Sequence, residues 1–433
     1  MINRLLKNLD ASSCNFLAAH TIARELEAAG FTPLRQEDAW DVKPGGRHYV
    51  VKNDSAVFAF IVGKGNPATD GFRIISAHSD SPCFKIKPNA EIYGDGGVVS
   101  LNVEKYGGGI LYTWFDRPLS ISGRVMTAGS DALHPRTHLV DLRRPVAFIP
   151  HLAIHFNRAV NEGNPLSVQK DMKPVVGYFS NEQLEDFKKR GGIVKVLIAE
   201  EIGIRPEEII DYELCLYPAE PATIAGADGQ YFQSARIDDL SMAFAGLEAL
   251  VGEADCECDF TRVLAVFDNE ETGSGTKQGA ASPVLRDLLE RLTALRGGGR
   301  EEFLRAIANT FMISADDAHA WHPNYNEKSD PTNHPVIGGG PVVKINANCK
   351  YMTDAQGAAV FRTLCEQAGV KCQYFVNHSD VVGGSTLGNI LTSQLDIKGV
   401  DMGNAIWAMH SARETAGVSD QEDTVKVFRK FFS

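Results

Sequence analysis

The sequence predicts an α/β protein whose main domain is interrupted by a smaller, mostly β domain. Short apolar runs rich in β-branched residues alternate with amphipathic helical patterns near the start of the chain and again after about residue 234. Between these parts, closely spaced glycines punctuate short β-rich runs, which is typical of a small β domain. We therefore predict a discontinuous main domain at 1–88 and 234–433, with an inserted domain at 89–233.

The elements of the main domain follow from hydrophobic periodicity. The first thirty residues predict helix with a break at Asp10–Ser13, since Asp and Ser favour helix caps. AVFAFIVG and GFRIISAHSD predict two strands of a sheet, and RVLAVFD and TFMISAD predict two more that are buried. Helices are predicted in DDLSMAFAGLEALVGEA and SPVLRDLLERLTALRGGG, where a glycine cluster ends the second, and a helical patch in SNEQLEDFKKRGG lies within the insertion.

Composition excludes several classes of protein. With 433 residues and 44% of them apolar, the chain can bury a sizeable core. A formal charge of −12 argues against nucleic acid as a partner, because phosphate binding needs basic surface. We find no signal peptide and no apolar run long enough to span a bilayer, so we expect a cytoplasmic protein without a membrane partner.

The cysteine spacing and the glycine-rich segment predict no further functional site. The eight cysteines are scattered without a C-x-x-C, so we expect reduced thiols. Cys256-x-Cys258 has the wrong spacing for a zinc knuckle. The segment GSGTKQG matches neither of the glycine spacings that bind nucleotide phosphates.

Metal-capable side chains follow three of the predicted strands. His78 and Asp80 follow FRIISA, Glu270 and Glu271 follow RVLAVFDN, and Asp316 follows TFMISA. In open α/β sheets, ligands bind in the crevice beyond the carboxyl ends of the strands. We therefore expect these side chains to meet at one edge of the sheet.

Two further residues extend this set to two histidines and five carboxylates. Asp238 lies just before a predicted helix, and His410 follows an apolar segment. Taken singly, such residues have ordinary explanations: a packed histidine, a helix cap at Asp238, or a solvated turn at Glu270 and Glu271. Three matched strand ends favour a site for zinc or a similar divalent ion. Such an ion offsets the repulsion between neighbouring acids, so one glutamate can ligate while the other stays free as a base.

With these residues identified, the chain resembles the aspartyl aminopeptidase family of dinuclear zinc peptidases, from about Leu5 to Phe432. Seven blocks carry the resemblance, in this order: SAHSDSPCFKIKP, IPHLAIHFNR, ARIDDL, FDNEETGS, ISADDAHAWHPNY, GGPVVKIN and AMHSARE. The resemblance implies a phosphorylase/hydrolase-like mixed sheet flanked by helices, with the inserted β-rich domain serving as a dimerisation domain or lid.

The resemblance also implies a role for each site residue. Two divalent ions per subunit, zinc with cobalt or manganese as alternatives, are held by five residues: His78, Asp238, Glu271, Asp316 and His410. Asp238 bridges the two ions. Glu270 is the general base, and Asp80 orients the imidazole of His78.

The substrate contacts implied by the resemblance are spread along the chain. A histidine of the IPHLAIHFNR block, His155 with His151 as the alternative, reaches into the active site of a neighbouring subunit. His319, Lys344 and Tyr351 match positions that contact substrate in the family.

The implied function is the metal-dependent removal of N-terminal residues from peptides, with aspartate and glutamate as the residues removed. The resemblance also implies that the subunits associate into a homododecamer built from dimers. Two alternatives remain open: a related dinuclear zinc deacylase or carboxypeptidase, and a non-catalytic shell or cargo protein of the same fold. The chain departs from the family at Asp239, where the family often has asparagine, and at Asp317, which adds an acid.

Overall fold

The computed structural model describes all 433 residues, Met1 to Ser433, as two compact units. The first unit comprises Met1–Asp80, Ala222–Met409 and Glu414–Ser433, and the second comprises Ser81–Pro221 and His410–Arg413. The α/β class predicted from the sequence is confirmed, since both units combine sheets with helices. The domain boundaries predicted at residues 88 and 234 stay a prediction.

The helices agree with the periodicity of the sequence. In chain order they are α1 Ile2–Ala11, α2 Asn15–Ala28, α3 Pro67–Asp70, α4 Val168–Asp171, α5 Asn181–Lys189, α6 Ile193–Ile202, α7 Ile237–Gly252, α8 Val284–Leu295, α9 Arg300–Ala308, α10 Ala355–Ala368, α11 Leu387–Leu391 and α12 Val418–Phe432. The break predicted at Asp10–Ser13 is found slightly later, since α1 continues to Ala11 and α2 begins at Asn15. Helices α3, α4, α6, α9, α10, α11 and α12 were not predicted. In α6 the apolar residues IVKVLIA show no clear face.

Twenty strands form three sheets. In chain order they are β1 Thr32–Pro33, β2 Arg47–Lys52, β3 Ala56–Ile61, β4 Phe72–His78, β5 Cys83–Tyr93, β6 Val98–Tyr106, β7 Leu119–Thr127, β8 Arg136–Asp141, β9 Val175–Tyr178, β10 Asp211–Pro218, β11 Thr223–Ala225, β12 Tyr231–Ser234, β13 Thr261–Phe267, β14 Phe311–Ala315, β15 Ala318–His319, β16 Val342–Ile345, β17 Gln373–Val376, β18 Lys398–Gly403, β19 Ala405–Trp407 and β20 Glu414–Gly417.

The first unit is built on a nine-stranded mixed sheet with the order β1-β2-β3-β13-β4-β14-β18-β16-β17. Its centre is parallel, because β4 pairs in parallel with both β13 and β14. Alternate residues of β13 enter two different cores: Leu264 and Val266 pack in one, and Val263, Ala265 and Phe267 in the other. The sheet is therefore buried on both faces, as its uninterrupted apolar runs predict. A smaller sheet of the same unit has the order β11-β12-β20-β19-β15.

The second unit is a six-stranded antiparallel sheet with the order β8-β7-β10-β5-β6-β9. Helix α6 supplies Ile193, Val194, Ile198 and Ala199 to the core of this unit. None of the twelve helices combines the length and the apolarity that a crossing of the bilayer requires.

Helix α7 lies close against the central strands because one of its residues has no side chain. A Cβ added at Gly246 would lie 2.6 Å from Cδ1 of Leu264 and 3.2 Å from Cγ2 of Ile75. A larger residue would fit only if these two side chains shifted. This close approach brings the first turn of α7, with Asp238 and Asp239, to the end of β4.

One fully buried arginine ties the ends of two helices to the sheet. Arg262 of β13 is 1% exposed. Its Nε donates to the carbonyl of Phe432 at 2.5 Å, and its Nη1 donates to the carbonyls of Glu253 and Cys256 at 3.0 and 2.9 Å. The carbonyls of Phe432 and Glu253 lie at the C-terminal ends of α12 and α7, where carbonyls lack partners within the helix and a cation is favourable. The carbonyl of Cys256 lies in the turn after α7.

We expect Arg262→Met to lower the free energy of unfolding by about 3 kcal/mol, because the carbonyls of Phe432, Glu253 and Cys256 lose their hydrogen bonds with the guanidinium. Urea denaturation measures this difference. Arg300→Met is the control, since the Arg300 side chain is 62% exposed, and a change of about 0.5 kcal/mol or less is expected there. An equally small change for Arg262→Met would show that these carbonyls do not depend on the guanidinium.

Candidate metal centre

The C-terminal edge of the nine-stranded sheet gathers the predicted strand-end residues. His78 is the last residue of β4 and pairs with Phe267, the last residue of β13. Asp316 follows directly after β14, the other neighbour of β4. Because the three strands are parallel, their carboxyl ends meet at one edge, as the sequence predicted.

Four buried side chains lie together at this edge. One nitrogen of His78 and one carboxylate oxygen each of Asp238, Asp239 and Asp316 all lie within 4.8 Å of one another. None of the four residues is more than 8% exposed. One imidazole and three carboxylates are a donor set that suits zinc.

The imidazole of His78 is held from both of its nitrogens. Nδ1 lies 3.0 Å from the carbonyl oxygen of Asp80 and 3.4 Å from its Oδ1, and Nε2 lies 3.4 Å from Oδ1 of Asp238. A proton on Nδ1 satisfies the contacts with Asp80 and directs the Nε2 lone pair into the group of acids. Burial disfavours a charged imidazole, but the carboxylates of Asp239, Asp238 and Asp80 raise the pKa of His78 well above its ordinary value.

Asp239 carries the clearest sign that a cation belongs here. Its Oδ2 accepts a hydrogen bond from the backbone N–H of His78 at 3.0 Å, whereas its Oδ1 is buried and accepts none. Burial, together with repulsion from Asp316, Asp317 and Asp238, raises the pKa of Asp239 well above its ordinary value, against the opposing effect of His78. A buried acceptor of this kind is costly unless a proton or a cation meets it. The residues therefore fit a divalent ion.

Hydrogen bonds hold the backbone and the outer acids of the site. The N–H of Asp238 donates to Oε2 of Glu414 at 3.1 Å. Asp317 accepts hydrogen bonds from Oγ of Ser241 at 2.7 Å and from the N–H of Asn404 at 3.2 Å. These contacts give Asp317 a structural role beside the buried group of His78, Asp238, Asp239 and Asp316. Its pKa is raised, mainly because the carboxylate is buried.

The two glutamates at the end of β13 are placed by Asp80. Asn269 has a φ of +62°, which turns the chain out of the strand into a short 3₁₀ turn, Glu270–Thr272. The N–H groups of Glu270 and Glu271 donate to Oδ1 and Oδ2 of Asp80, each at 3.1 Å. One carboxylate thus contacts His78 and both glutamates of this turn.

The two glutamates differ in their surroundings. Burial raises the pKa of Glu270 to about 8, and the charges of Asp316, Asp80 and Asp238 act in the same direction, against the opposing effect of His78. A carboxylate oxygen of Glu271 lies within 4.8 Å of one of Asp238. Glu271 is thus close enough to Asp238 for the two to share an ion, and a carboxylate with a raised pKa suits a general base. The roles of ligand and base predicted for these two glutamates stay predictions.

Lys344 and Tyr351, both predicted to contact substrate, are buried beside Asp316. The ammonium of Lys344 donates to the carbonyls of Asp316 and Asp317 at 2.7 and 3.2 Å and lies 3.2 Å from Oδ2 of Asp316. The ring of Tyr351 is centred 5.4 Å from this ammonium. Their contact with substrate stays a prediction.

The remaining predicted histidines are not members of the buried group around His78. His319 is exposed on β15, with its ring centred 5.8 Å from that of Phe375. In the second unit, His155 is exposed, and His151 donates its N–H to Oδ1 of Asp116 at 2.9 Å. His410 also belongs to this unit and is half-buried, with Nδ1 3.3 Å from the carbonyl oxygen of Gly108. The roles predicted for these four histidines stay predictions.

Three acidic residues in or near the site were not predicted as site residues from the sequence. Asp239 was noted only as a departure, although it lies within the buried group. Glu414 was not singled out, although it is the last residue of the AMHSARE block. Asp268 is buried and accepts hydrogen bonds from the side chains of Asn15 and Gln278, and burial raises its pKa to about 6. The acid-rich segment DNEE was the available signal for Asp268.

Comparison with known proteins identifies the family. The profile of the family described as aminopeptidase I zinc metalloprotease (M18) matches residues 8–432. The chain belongs to the M18 family. It is 44% identical over 431 residues to the probable M18 family aminopeptidase 2 of Clostridium novyi (strain NT). This alignment covers 100% of the chain and 98% of the relative. Membership makes the protein a metallo-aminopeptidase, and the resemblance inferred from the sequence is confirmed.

Two solved structures of similar fold support the same assignment. The cryo-EM structure of the Ape4 and Nbr1 complex matches with a TM-score of 0.95 at 34% identity, covering 99% of this chain and 85% of that chain. The mApe1 dodecamer of S. cerevisiae matches with a TM-score of 0.86 at 27% identity, covering 99% and 95%. The M18 zinc aminopeptidase fold therefore extends over almost the whole chain.

We expect removal of the metal by dialysis against a chelator to lower the thermal unfolding midpoint, with recovery when zinc is added back. A ligand that binds only the folded state at about 1,000 times its Kd adds about 4 kcal/mol of stability. Differential scanning calorimetry, with zinc measured by mass spectrometry in the same samples, tests this. Equal midpoints for zinc-loaded and zinc-free protein would show that the buried acids do not need the ion.

Proposed function

We propose that this M18 protein removes N-terminal residues, preferentially aspartate and glutamate, from peptides, with Glu270 as the general base. The observation that carries the proposal is the buried group of His78, Asp238, Asp239 and Asp316, with the desolvated carboxylate of Glu270 beside it. The residues of this group fit a metal, and burial raises the pKa of Glu270 from its ordinary value, which favours a role in proton transfer near neutral pH.

We infer two divalent ions per subunit, zinc with cobalt or manganese as alternatives. His78, Asp238 and Asp316 would hold one ion, and Asp238, Glu271 and His410 would hold the other. When bound, such ions polarise a scissile carbonyl and lower the pKa of a bound water. The distance of at most 4.8 Å between oxygens of Asp238 and Glu271 supports a ligand shared between two sites.

The protein's own groups then move the proton. The carboxylate of Glu270 accepts a proton from the attacking water and delivers it to the nitrogen of the leaving amine. The carboxylate of Asp80 holds the turn that contains Glu270 in position, because it accepts hydrogen bonds from the N–H groups of Glu270 and Glu271. A free substrate α-amine would dock against the acids of the site, which restricts cleavage to the N-terminus.

The preference for acidic residues needs a cation near the site, and Lys344 is the candidate. Its buried ammonium lies beside Asp316, with the ring of Tyr351 next to it. A substrate carboxylate approaching Lys344 would form a charge-assisted hydrogen bond in surroundings from which water is largely excluded. His319 and His155 would supply further contacts.

We infer self-association through the second unit, as a homododecamer built from dimers. Three apolar side chains near His155 support an interface, since Leu152, Ile154 and Phe156 are 56%, 54% and 81% exposed. The dodecamer of the similar mApe1 supports this number of subunits. The second unit would then serve as the dimerisation domain of a phosphorylase/hydrolase-like fold.

Peptides are the proposed substrates, and a cytoplasmic location stays a prediction.

We expect Glu270→Gln to keep its zinc and to lower kcat by about 10²- to 10⁴-fold, because the amide cannot accept the proton. Zinc stoichiometry and turnover of an aspartyl chromogenic substrate are measured together. Glu271→Gln is the matched variant, and it should lose zinc as well as activity. Turnover near the wild-type value in Glu270→Gln would place the base elsewhere.

A substrate panel tests the cleavage site and the specificity together. Peptides with a free N-terminal Asp or Glu should be cleaved best, and the same peptides with acetylated N-termini should resist, which a deacylase or carboxypeptidase would not require. Replacing Lys344 with Met should reduce the ratio of kcat/KM for Asp over Ala substrates by about tenfold or more, because a charged partner is lost. An unchanged ratio would remove Lys344 from the specificity pocket, and absence of all peptide cleavage would favour a shell or cargo protein.

A further inference from the structure

The turn that carries Glu270 belongs to a loop, residues 268–278, whose two ends are bonded to each other. At the base of this loop, the N–H of Asp268 donates to the carbonyl of Gln278 at 3.2 Å. Asp268 and Gln278 are 1% and 8% exposed, whereas residues 272, 273 and 275–277 are exposed. The outer part of the loop therefore has little packing to hold it, and the position of Glu270 depends on what fixes the base.

A group of polar side chains fixes the base of the loop. The N–H of Asn269 donates to Oδ1 of Asp268 at 2.8 Å. Nε2 of Gln278 donates to Oδ2 of Asp268 at 3.3 Å and to Oδ1 of Asn269 at 2.8 Å. Oγ1 of Thr276 donates to the same amide oxygen of Asn269 at 2.8 Å. These bonds hold the side chains of the two residues that directly precede Glu270, where the positive φ of Asn269 turns the chain.

Asn15 connects the base of the loop to the N-terminal part of the chain. It is the first residue of α2, and its Nδ2 donates to Oδ1 and Oδ2 of Asp268 at 3.2 and 3.1 Å. A buried carboxylate needs several donors, and Asp268 receives them from Asn15, Gln278 and the backbone of the next residue. Loss of one donor leaves a buried oxygen with fewer partners, so we expect the carboxylate and the turn that follows it to shift.

We propose that Asn15, Asp268 and Gln278 are positioning residues for the reaction, which hold the carboxylate of Glu270 where it accepts the proton. They fix the turn from the side of β13, while Asp80 fixes it through the N–H groups of the turn. The inference rests on the proposed function, because it needs Glu270 as the base. A displacement of about 1 Å between reacting groups can cost about 10²-fold in rate, so hydrogen bonds remote from the substrate can control kcat.

The test begins with variants that leave the buried carboxylate of Asp268 in place. Asn15→Ala removes one donor at little cost to α2, because alanine is the residue that most favours helix. We expect kcat for an aspartyl chromogenic substrate to fall about tenfold, with KM and zinc content within about twofold of the wild type. Gln278→Ala should act in the same way and provides a second variant.

Asn309→Ala is the matched control for the loss of a side-chain amide. Nδ2 of Asn309 donates to the carbonyl of Ala68 at 2.8 Å, just before β14 begins. This variant should keep the kcat of the wild type. All rates are measured well below the thermal unfolding midpoint of each variant, so that a change in kcat does not reflect unfolded protein.

A double-mutant cycle separates positioning of the base from a general structural role. In the Glu270→Gln background, Asn15→Ala should change the residual kcat by less than about twofold, because the group that it positions is already disabled. A structural role alone would lower kcat by the same factor with either residue at position 270.

Three results would overturn the proposal. The first is an unchanged kcat in both Asn15→Ala and Gln278→Ala. The second is an equal loss of kcat from Asn15→Ala in the wild-type and Glu270→Gln backgrounds. The third is loss of zinc in these variants, which would show that the contacts act on the metal site instead. Failure of the proposed function gives a different result, because Glu270→Gln by itself would then turn over like the wild type.

Discussion

Carboxylates buried around one imidazole are the constraint on which the rest of the site depends. Asp238, Asp239 and Asp316 lie at the end of three parallel strands, and His78 and Lys344 are the neighbouring groups that can carry a positive charge. Burial and mutual repulsion raise the pKa of Asp239 far above its ordinary value. A divalent cation offsets both effects at once, which gives a physical reason for an M18 zinc peptidase to keep acids at positions that folding alone disfavours.

Asp80 links the two halves of this site. Its backbone carbonyl lies against Nδ1 of His78, and its carboxylate accepts the N–H groups of Glu270 and Glu271. A shift of Asp80 would therefore move a metal ligand and the proposed base together. This coupling explains how a short turn after a strand can hold Glu270 accurately, although the turn is only partly buried.

The scaffold supports the site through packing that lies away from it. Gly246 allows α7 to approach the sheet closely, and the start of this helix carries Asp238 and Asp239. At the other end of the same sheet, Arg262 holds the C-terminal ends of α7 and α12 through backbone carbonyls. The two faces of β13 enter separate cores, so the strand that leads to Glu270 is fixed from both sides.

Sequence patterns alone were enough to predict the α/β class, the strands that lead to the site, helix α7, and the meeting of His78, Glu270 and Asp316 at one sheet edge. These follow from local periodicity and from the rule that parallel strands end together. Three features became visible only in the folded chain: Asp239 joins the group, the ammonium of Lys344 donates to backbone carbonyls, and Glu414 accepts a hydrogen bond from the N–H of Asp238. Glu414 and Asp238 are 176 positions apart in the sequence. Contacts across such separations depend on strand order and on the closeness of helix packing. The spacing of apolar residues along a single chain predicts neither of these.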